Sequence, residues 1–392
     1  MKRWLVLLLV VMAFGLHAQS PDTLFTQPLP QLANPFYDVF ARSYLGAEAA
    51  GRGYTGASIL GEATNLLINP ATMVADSARI FMEVNIKPPI NADGYAYPSR
   101  YSSPVPFGMV GVSMPLGERI GAAVVYNMPK AIVLDDFSIK INQGSDIVQR
   151  YPKYYLNQVT AALSFKAMSY LHLGIAAHNQ IHYLDDVVFL RTYDRVRDYS
   201  YSLRVQPGLV LTSGTLSAGV SVMPPSNVDW DLKYASYDGL LPTLVNAGGS
   251  YETGSYRLAG DLEWENTAAI DPKFADRLSL RLGGERREGN LIYRLGYFFN
   301  SNVFEGRLMM PVNTTATADT SIFWNDVAVS VPIKNNAQHF LTGGIGYYFR
   351  DGSLNLSFIQ TIVGEDKATQ INMSLSIYLS SFKRKGFLYF DD

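Results

Sequence analysis

Short stretches in which every second residue is apolar recur along most of this chain of 392 residues. In the clearest stretch, Ile371, Met373 and Leu375 alternate with Asn372 and Ser374. Successive side chains of a β-strand point to opposite faces, so such a stretch forms a strand with one apolar and one polar face. No apolar run after residue 18 is long enough for a membrane-spanning helix. The alternation therefore predicts a protein built from strands.

The alternating stretches predict about fourteen strands, which is an even number of crossings. The predicted strands lie near residues 80–86, 107–116, 119–128, 155–166, 171–183, 200–212, 215–223, 243–252, 255–264, 276–286, 290–299, 338–350, 353–363 and 370–381. The connections between them are alternately short and long, with a brief final loop. A soluble β-sandwich also has short strands, but it does not require this alternation of loop lengths. The pattern favours an all-β fold, a transmembrane antiparallel β-barrel.

Composition agrees with a barrel in an outer membrane and excludes several other classes. Hydrophobic residues make up 48% of the chain and charged residues 17%, while the net charge is -2, which does not favour nucleic acid as a partner. There is no cysteine, so neither disulfides nor thiol chemistry is expected. Residues 1–18 have a basic start and an apolar run, which is typical of a signal peptide. An even number of strands after such a signal predicts that both termini lie in the periplasm.

About sixty residues before the first strand do not alternate, and we expect them to fold into the barrel as a hatch that plugs the lumen. The predicted domains are therefore the signal peptide 1–18, the hatch segment 19–79 and the barrel 80–392. Small residues in the hatch allow its backbone to pack closely against the inner wall. The hatch positions singled out by the sequence are Gly51, Gly53, Gly56, Asn69 and Pro70. Gly51 to Gly56 also matches a dinucleotide-binding pattern, but no strand precedes it and no amphipathic helix follows, so no cofactor is expected.

The run Ala50-Gly51-Arg52-Gly53-Tyr54-Thr55-Gly56-Ala57, followed by Asn69-Pro70-Ala71, resembles the N-terminal signature of the FadL-like outer-membrane transporters of hydrophobic compounds. Later hairpins, such as Arg281-Leu282-Gly283-Gly284-Glu285, are similar to hairpins of that family, so the resemblance extends over most of the mature chain. It implies a fourteen-stranded barrel with an N-terminal hatch, which agrees with the count obtained from the alternation.

The resemblance also implies a function, the uptake of hydrophobic small molecules such as long-chain fatty acids through an outer groove and a lateral opening in the wall. The expected partners are outer-membrane lipid and a hydrophobic ligand. An alternative branch of the same superfamily is the PorV-like barrels of type IX secretion, which resemble this chain in the Asn-Pro-Ala region and in length. On that alternative the protein docks exported proteins, and its partners are secretion-system components.

Several charged residues lie on the lumen faces of three consecutive predicted strands: Arg257, Asp261, Glu263, Arg277, Arg281 and Arg294. Opposite charges on neighbouring strands are expected to pair and to stiffen the interior. The other reading is that one of the arginines captures the carboxylate of a ligand.

Two further features bear on a route for the ligand. Pro207 and Gly208 interrupt a regular strand, which predicts either a bulge or a local defect of the wall that opens towards lipid. The loop 300–337 is unusually apolar, and it either folds over the barrel mouth or forms a ligand groove. The groove candidates are Phe304, Leu308, Met309, Met310, Phe323 and Trp324.

No enzyme is predicted, because the chain has neither a G-x-S-x-G nor an H-E-x-x-H motif. His172, His178 and His182 share one face of a strand. At about 3.3 Å per residue, even the closest pair is too far apart to share a metal ion. No metal site is expected.

Overall fold

The structure is a computed structural model of the chain. It describes residues 24–26, 42–73, 77–92, 99–102, 106–135, 137–141, 146–150, 153–189, 193–232, 235–311, 328–333, 337–364 and 367–379. The predicted signal peptide 1–18 lies outside the described residues.

A closed antiparallel barrel of 14 crossing strands forms the wall, so the predicted fold class is confirmed. In chain order, β1 to β14 are Arg79–Ile86, Phe107–Pro115, Ile120–Asp135, Lys153–Met168, Leu171–Phe189, Tyr193–Ser213, Leu216–Met223, Leu244–Thr253, Tyr256–Glu265, Arg277–Glu288, Leu291–Asn300, Gln338–Phe349, Gly352–Val363 and Thr369–Tyr378. Each strand pairs with the next along the chain. The barrel closes at β1, which pairs with β14 as well as with β2.

The wall has its apolar side outward, as the alternation predicts. Along β13, Leu354, Leu356 and Phe358 are 45%, 50% and 45% exposed. The residues between them, Asn355 and Ser357, are at most 1% exposed and face the lumen. A barrel with large apolar side chains on its outside and polar side chains inside is favoured only in a non-aqueous environment. The outer surface is therefore a lipid-facing belt.

Three strands continue beyond the alternating stretches. β5 runs to Phe189 and β6 begins at Tyr193, whereas the sequence predicted a long loop over 184–199. β3 likewise runs to Asp135, beyond the predicted end at residue 128. Past the membrane both faces of a hairpin meet water, so the ladder continues while the apolar alternation stops. Sequence periodicity therefore predicted the lipid-embedded part and missed the projecting part.

Short strands lie in the long connections, at the barrel end opposite the short turns. They are Ile90–Ala92, Ser99–Ser102, Phe137–Ile141, Asp146–Arg150, Ser226–Leu232, Ala235–Leu241, Gly306–Pro311 and Ala328–Ile333. The first four extend the barrel sheet, and the others form separate hairpins. We call this end of the barrel the long-loop end, and the opposite end the short-turn end.

Residues 42–73, the inner segment, lie inside the barrel. They form one α-helix, α1 (Ala47–Gly51), and the 3-10 turns Ala63–Leu67 and Pro70–Thr72; a third 3-10 turn, Thr267–Ala269, lies between β9 and β10. None of the helices in the described part of the chain has the length and apolarity needed to cross a membrane.

The inner segment begins at the long-loop end. There the backbone of Arg42 forms an isolated antiparallel β-bridge with Lys130, in the outer part of β3. Before it, Leu24–Thr26 pairs in parallel with the loop strand Gly306–Pro311. This pairing puts an N-terminal stretch at the long-loop end, although β1 starts and β14 finishes at the short-turn end. The side of the membrane on which each terminus lies stays a prediction.

Candidate functional site

The inner segment contacts the wall at two places, and glycine lines the wall at both. At the first, which we call the charged seat, Gly51, Arg52 and Gly53 lie against Gly283, Gly296 and Gly344. These glycines belong to β10, β11 and β12, and they face the lumen. At the second, the neutral seat, Ala57 and residues 69–71 lie against Gly174, Gly208 and Gly219 of β5, β6 and β7.

Backbone approaches backbone so closely at the charged seat that a Cβ atom on Gly283 or Gly296 would collide with it. A Cβ on Gly283 would lie 2.1 Å from the Arg52 carbonyl oxygen, and one on Gly296 would lie 2.0 Å from the Gly53 nitrogen. Gly53 itself has φ 67°, a conformation that favours glycine. The inner segment therefore rests on the wall without a layer of side chains between them.

The guanidinium of Arg52 is the centre of a buried ion-pair network at the charged seat. It is fully buried, and it donates to Glu62 at 2.6 Å and to Glu285 of β10 at 2.8 Å. Arg257 of β9 bonds the same two carboxylates, at 3.2 Å to Glu62 and 2.8 Å to Glu285. Arg294 adds a bond to Glu285 at 3.3 Å. The network joins the inner segment to three neighbouring strands by charge.

The two carboxyls of the inner segment differ in their electrostatic setting. Burial by itself would raise the pKa of Glu62, but Arg52 and Arg257 outweigh burial and hold that pKa below its ordinary value. Burial also raises the pKa of Glu48, and the Glu62 carboxylate raises it further. Glu48 accepts hydrogen bonds from Tyr348 at 3.1 Å and Asn355 at 2.9 Å.

Two carboxylates of the wall bind backbone amides of the inner segment. Glu83 of β1 accepts from Gly46 at 3.0 Å and from Ala47 at 2.6 Å, at the start of α1. Asp261 of β9 accepts from Gly56 at 2.6 Å and from Ala57 at 2.9 Å. The acidic partners satisfy amides that would otherwise be buried without acceptors.

The neutral seat is built around Asn69, which is completely buried. Its side-chain oxygen caps the turn that begins at Pro70, by accepting from Ala71 at 3.1 Å. Its amide nitrogen donates to the carbonyls of Ala57 at 2.7 Å and Leu209 at 3.1 Å. A Cβ on Gly208 would lie 2.1 Å from the Asn69 oxygen. One side chain thus ties two parts of the inner segment to β6.

Uncharged side chains surround the neutral seat. His178 bonds Thr160 at 2.8 Å and Gln206 at 2.9 Å. Gln206 and Ser221 both donate to the carbonyl of Ile68, at 2.8 Å and 2.7 Å. This chain of hydrogen bonds links β4, β5, β6 and β7 to the inner segment without an ion pair.

Pro207 and Gly208 do not interrupt β6. Pairing with β5 is regular through both residues, without a bulge, which corrects the bulge predicted from the sequence. Pairing with β7, in contrast, ends at Gly208 and Ser221, although β6 starts at Tyr193. Pro207 has no amide hydrogen to donate, and neither have Pro224 and Pro225, which directly follow the end of β7 at Met223, so the ladder does not continue. The wall therefore has a break between β6 and β7.

Arg204 spans this break. Its buried guanidinium donates to the carbonyls of Met223 at 3.3 Å, Pro224 at 3.0 Å and Pro242 at 2.5 Å. Next to it, the hairpin of Ser226–Leu232 buries Trp230, whose ring lies 6.2 Å from that of His182. A side chain and a folded hairpin thus replace the missing ladder.

The remaining predicted lumen charges also meet partners on adjacent strands. Arg281 pairs with Glu263 at 2.6 Å, and Arg277 with Glu265 at 3.5 Å. Glu263 additionally meets Arg42 of the inner segment at 3.2 Å. Asp261 is the exception, because it binds amides of the inner segment.

The predicted groove residues are only partly placed by the structure. Phe304 is buried, and its ring meets that of Phe274 edge-on at 5.8 Å. Leu308, Met309 and Met310 lie on the loop strand Gly306–Pro311. Phe323 and Trp324 lie outside the described residues. The structure thus places Phe304 in the interior and leaves the groove a prediction.

Sequence reasoning missed Glu62, Glu83 and Glu285, and also the wall glycines other than Gly208. A signal for the glycines exists, since Gly174, Gly219 and Gly296 occupy lumen positions of alternating stretches, where a polar side chain is expected. The described part of the chain has no group of three or more histidine, cysteine, aspartate or glutamate residues that could hold a metal ion.

Solved structures resemble this barrel over nearly their whole length. A FadL homologue of Pseudomonas aeruginosa superposes with a TM-score of 0.60 at 13% identity, covering 85% of this chain and 98% of that one. This protein has the FadL barrel fold. The toluene transporter TbuX of Ralstonia pickettii gives a TM-score of 0.59 at 9% identity, covering 85% of this chain and 97% of that one. The toluene transporter TodX of Pseudomonas putida gives 0.60 at 14% identity, covering 86% and 98%.

No protein-family model matches the sequence, and no curated protein matches it. The resemblance predicted from the hatch signature and the hairpins is thus confirmed at the level of the fold.

Proposed function

We propose that this protein is an outer-membrane channel for the uptake of hydrophobic small molecules, with long-chain fatty acids as one ligand class. Solved barrels with the same fold include toluene transporters, which supports an apolar cargo. In this proposal residues 1–18 are the export signal, residues 19–79 are the hatch, and the start of β1 faces the periplasm.

The observation that carries the proposal is the break in the wall between β6 and β7. An open strand edge inside a bilayer costs free energy, so a barrel that keeps one at Pro207 is expected to use it. The break lies directly beside the neutral seat, where Gly208 contacts Asn69. Arg204 and the hairpin with Trp230 close the break in this structure. An apolar ligand that enters from the long-loop end would leave into the bilayer at this point.

The first test asks whether the protein carries an apolar ligand and whether uptake of that ligand depends on the break in the wall. Mass spectrometry of purified protein should detect a co-purified apolar ligand, and liposomes that contain the protein should take up toluene or a fatty acid faster than empty liposomes. Arg204→Met removes the donors across the break and should change the uptake rate, whereas the exposed Arg286→Met should not. The proposal would be overturned if the purified protein contained no apolar ligand and the liposomes with the protein took up neither toluene nor a fatty acid faster than empty liposomes.

A second test distinguishes exit through the wall from exit through the lumen. Ser58 of the inner segment and Ser250 of β8 lie with their hydroxyl oxygens 3.1 Å apart, and the chain has no cysteine. A Ser58→Cys, Ser250→Cys pair would therefore lock the inner segment when it is oxidised. Uptake through the wall continues in the locked form. If the hatch must move, uptake stops on oxidation and returns on reduction.

The second candidate function is a PorV-like component of a protein secretion system that docks exported proteins. One observation favours it, the close backbone contact at both seats, which suits a barrel that stays closed. This candidate predicts that secretion-system components accompany the protein in mild detergent, and that the oxidised lock leaves secretion unchanged. Secretion that continues without the protein would exclude this candidate.

A further inference from the structure

A cavity of about 420 Å³ lies at the short-turn end, between the inner segment and the wall. Leu60 to Thr64 of the inner segment form one side, and residues of β1, β10, β13 and β14 form the other. The ion pairs of the charged seat border it, but the break between β6 and β7 lies elsewhere. Its location makes it distinct from the route proposed above for an apolar ligand.

The cavity contains five carboxylates, and each already accepts hydrogen bonds. They are Glu48, Glu62, Glu83, Glu252 and Glu285. Glu62, Glu252 and Glu285 meet arginines, Glu48 meets Tyr348 and Asn355, and Glu83 meets two backbone amides. The acidic groups of the cavity are therefore occupied by partners within the protein.

Donor groups in the same cavity lack such partners. Ser353 of β13 is 1% exposed and its hydroxyl has no hydrogen-bond partner among the described residues. The same holds for the buried hydroxyl of Thr64 and for Nε of Arg79. These three groups line the cavity from the inner segment, β1 and β13. Buried polar groups are normally paired. The two hydroxyls can donate or accept, whereas Nε of Arg79 can only donate, so a group that pairs with all three must be an acceptor.

Positive charge adds to these donors. Within the described part of the chain, neither Arg79 nor Arg287 has an ion pair. Their guanidiniums lie over tyrosine rings instead, Arg79 at 5.6 Å from Tyr378 and Arg287 at 5.4 Å from Tyr348. A ring face accepts a cation only weakly, so both arginines retain donors for a charged acceptor.

We propose that this cavity binds an anionic group, a carboxylate or a phosphate, between Thr64, Arg79 and Ser353. Charge-assisted hydrogen bonds to such a group would satisfy all three donors at once. The ligand would connect the inner segment, through Thr64, to β1 and β13. Because it binds only the seated arrangement, it would stabilise that arrangement by mass action. The inference goes beyond the transport function and does not depend on which cargo the channel carries.

The test uses the full protein in a neutral detergent, titrated with sodium phosphate or with sodium hexanoate. Sodium chloride at equal ionic strength is the reference. The measurements are the unfolding temperature and the hydrogen exchange of residues 60–64. At least one of the two anions should raise the unfolding temperature and slow exchange at Thr64, with saturation.

Variants separate a specific site from a general effect of salt. Arg79→Gln and the smaller change Ser353→Ala should each weaken the apparent affinity, by about tenfold for the arginine. Arg286→Gln is the matched control, because Arg286 is exposed at the same end and pairs with Glu288 at 3.6 Å. A response to hexanoate alone identifies a carboxylate ligand, and a response to phosphate alone identifies a phosphate. No response, or an equal response in all variants, would overturn the proposal.

Discussion

The two seats hold one inner segment against two separate parts of the wall, with the same steric design and different chemistry. Both rest on wall glycines that leave no room for a Cβ atom. At the charged seat Arg52, Glu62 and Glu285 form buried ion pairs, whereas at the neutral seat Asn69 makes uncharged hydrogen bonds. Loss of one member of a buried ion pair leaves an uncompensated charge in the interior, which costs more free energy than the loss of one member of a neutral hydrogen-bond network. The charged seat should therefore anchor the segment, and the neutral seat, beside the break in the wall, should be easier to rearrange.

The largest effect is expected from Arg52→Met compared with His178→Leu. The arginine change leaves Glu62 and Glu285 buried with fewer cations, at a cost of about 3 kcal/mol to the seated arrangement. The histidine change leaves the side-chain oxygen of Gln206 without its donor, whereas Thr160 still accepts from Gln158, so it should cost about 1 kcal/mol. Hydrogen exchange over residues 49–57 and 65–73 measures both. Equal losses of protection would contradict the distinction between the seats.

A smaller effect is expected from adding one methyl group to the wall. Gly296→Ala at the charged seat and Gly219→Ala at the neutral seat should each cost about 1–3 kcal/mol, because the new Cβ meets backbone at 2.0 Å in both places. Gly249→Ala is the control, since its Cβ would meet only the Ser217 carbonyl oxygen, at 3.6 Å. Urea unfolding in detergent gives the three values. A loss at Gly249 as large as at the seats would refute a steric origin.

The stability of the seated arrangement should depend on pH through the two carboxyls of the inner segment, in opposite directions. The pKa of Glu62 is lowered, so its stabilising contribution is present above its ordinary value of 4.5 and is lost as the pH falls through the lower folded value. The pKa of Glu48 is raised, so its contribution is present below 4.5 and is lost as the pH rises through the folded value.

The pH profiles of two variants test these signs. Glu62→Gln should abolish the loss of protection in acid, whereas Glu48→Gln should increase protection of residues 47–53 at about neutral pH. Hydrogen exchange between about pH 3 and pH 8, corrected for the intrinsic rates, provides the measurement. Identical profiles for the two variants would show that the seat does not respond to these carboxyls.

Most of the wall could be predicted from the sequence because lipid imposes a rule that acts on each strand separately. Every lipid-embedded strand must alternate, as Leu354, Asn355 and Leu356 do, so a local pattern reveals it. The rule stops at the membrane surface, which is why the outer parts of β5 and β6 were missed. Pro207 was recognised as a defect, but its effect falls on the pairing with β7 and leaves the pairing with β5 intact.

The sequence by itself determined the barrel, its number of crossings, and a glycine-rich segment that the wall does not need. Only the tertiary structure decided how that segment is held. Arg52 and Glu285 are 233 positions apart, and Gly53 meets a wall glycine on another strand. Such contacts depend on which strands are neighbours once the sheet closes and on how the segment runs through the lumen. Local periodicity carries no information on either, because closure pairs residues that are distant along the chain.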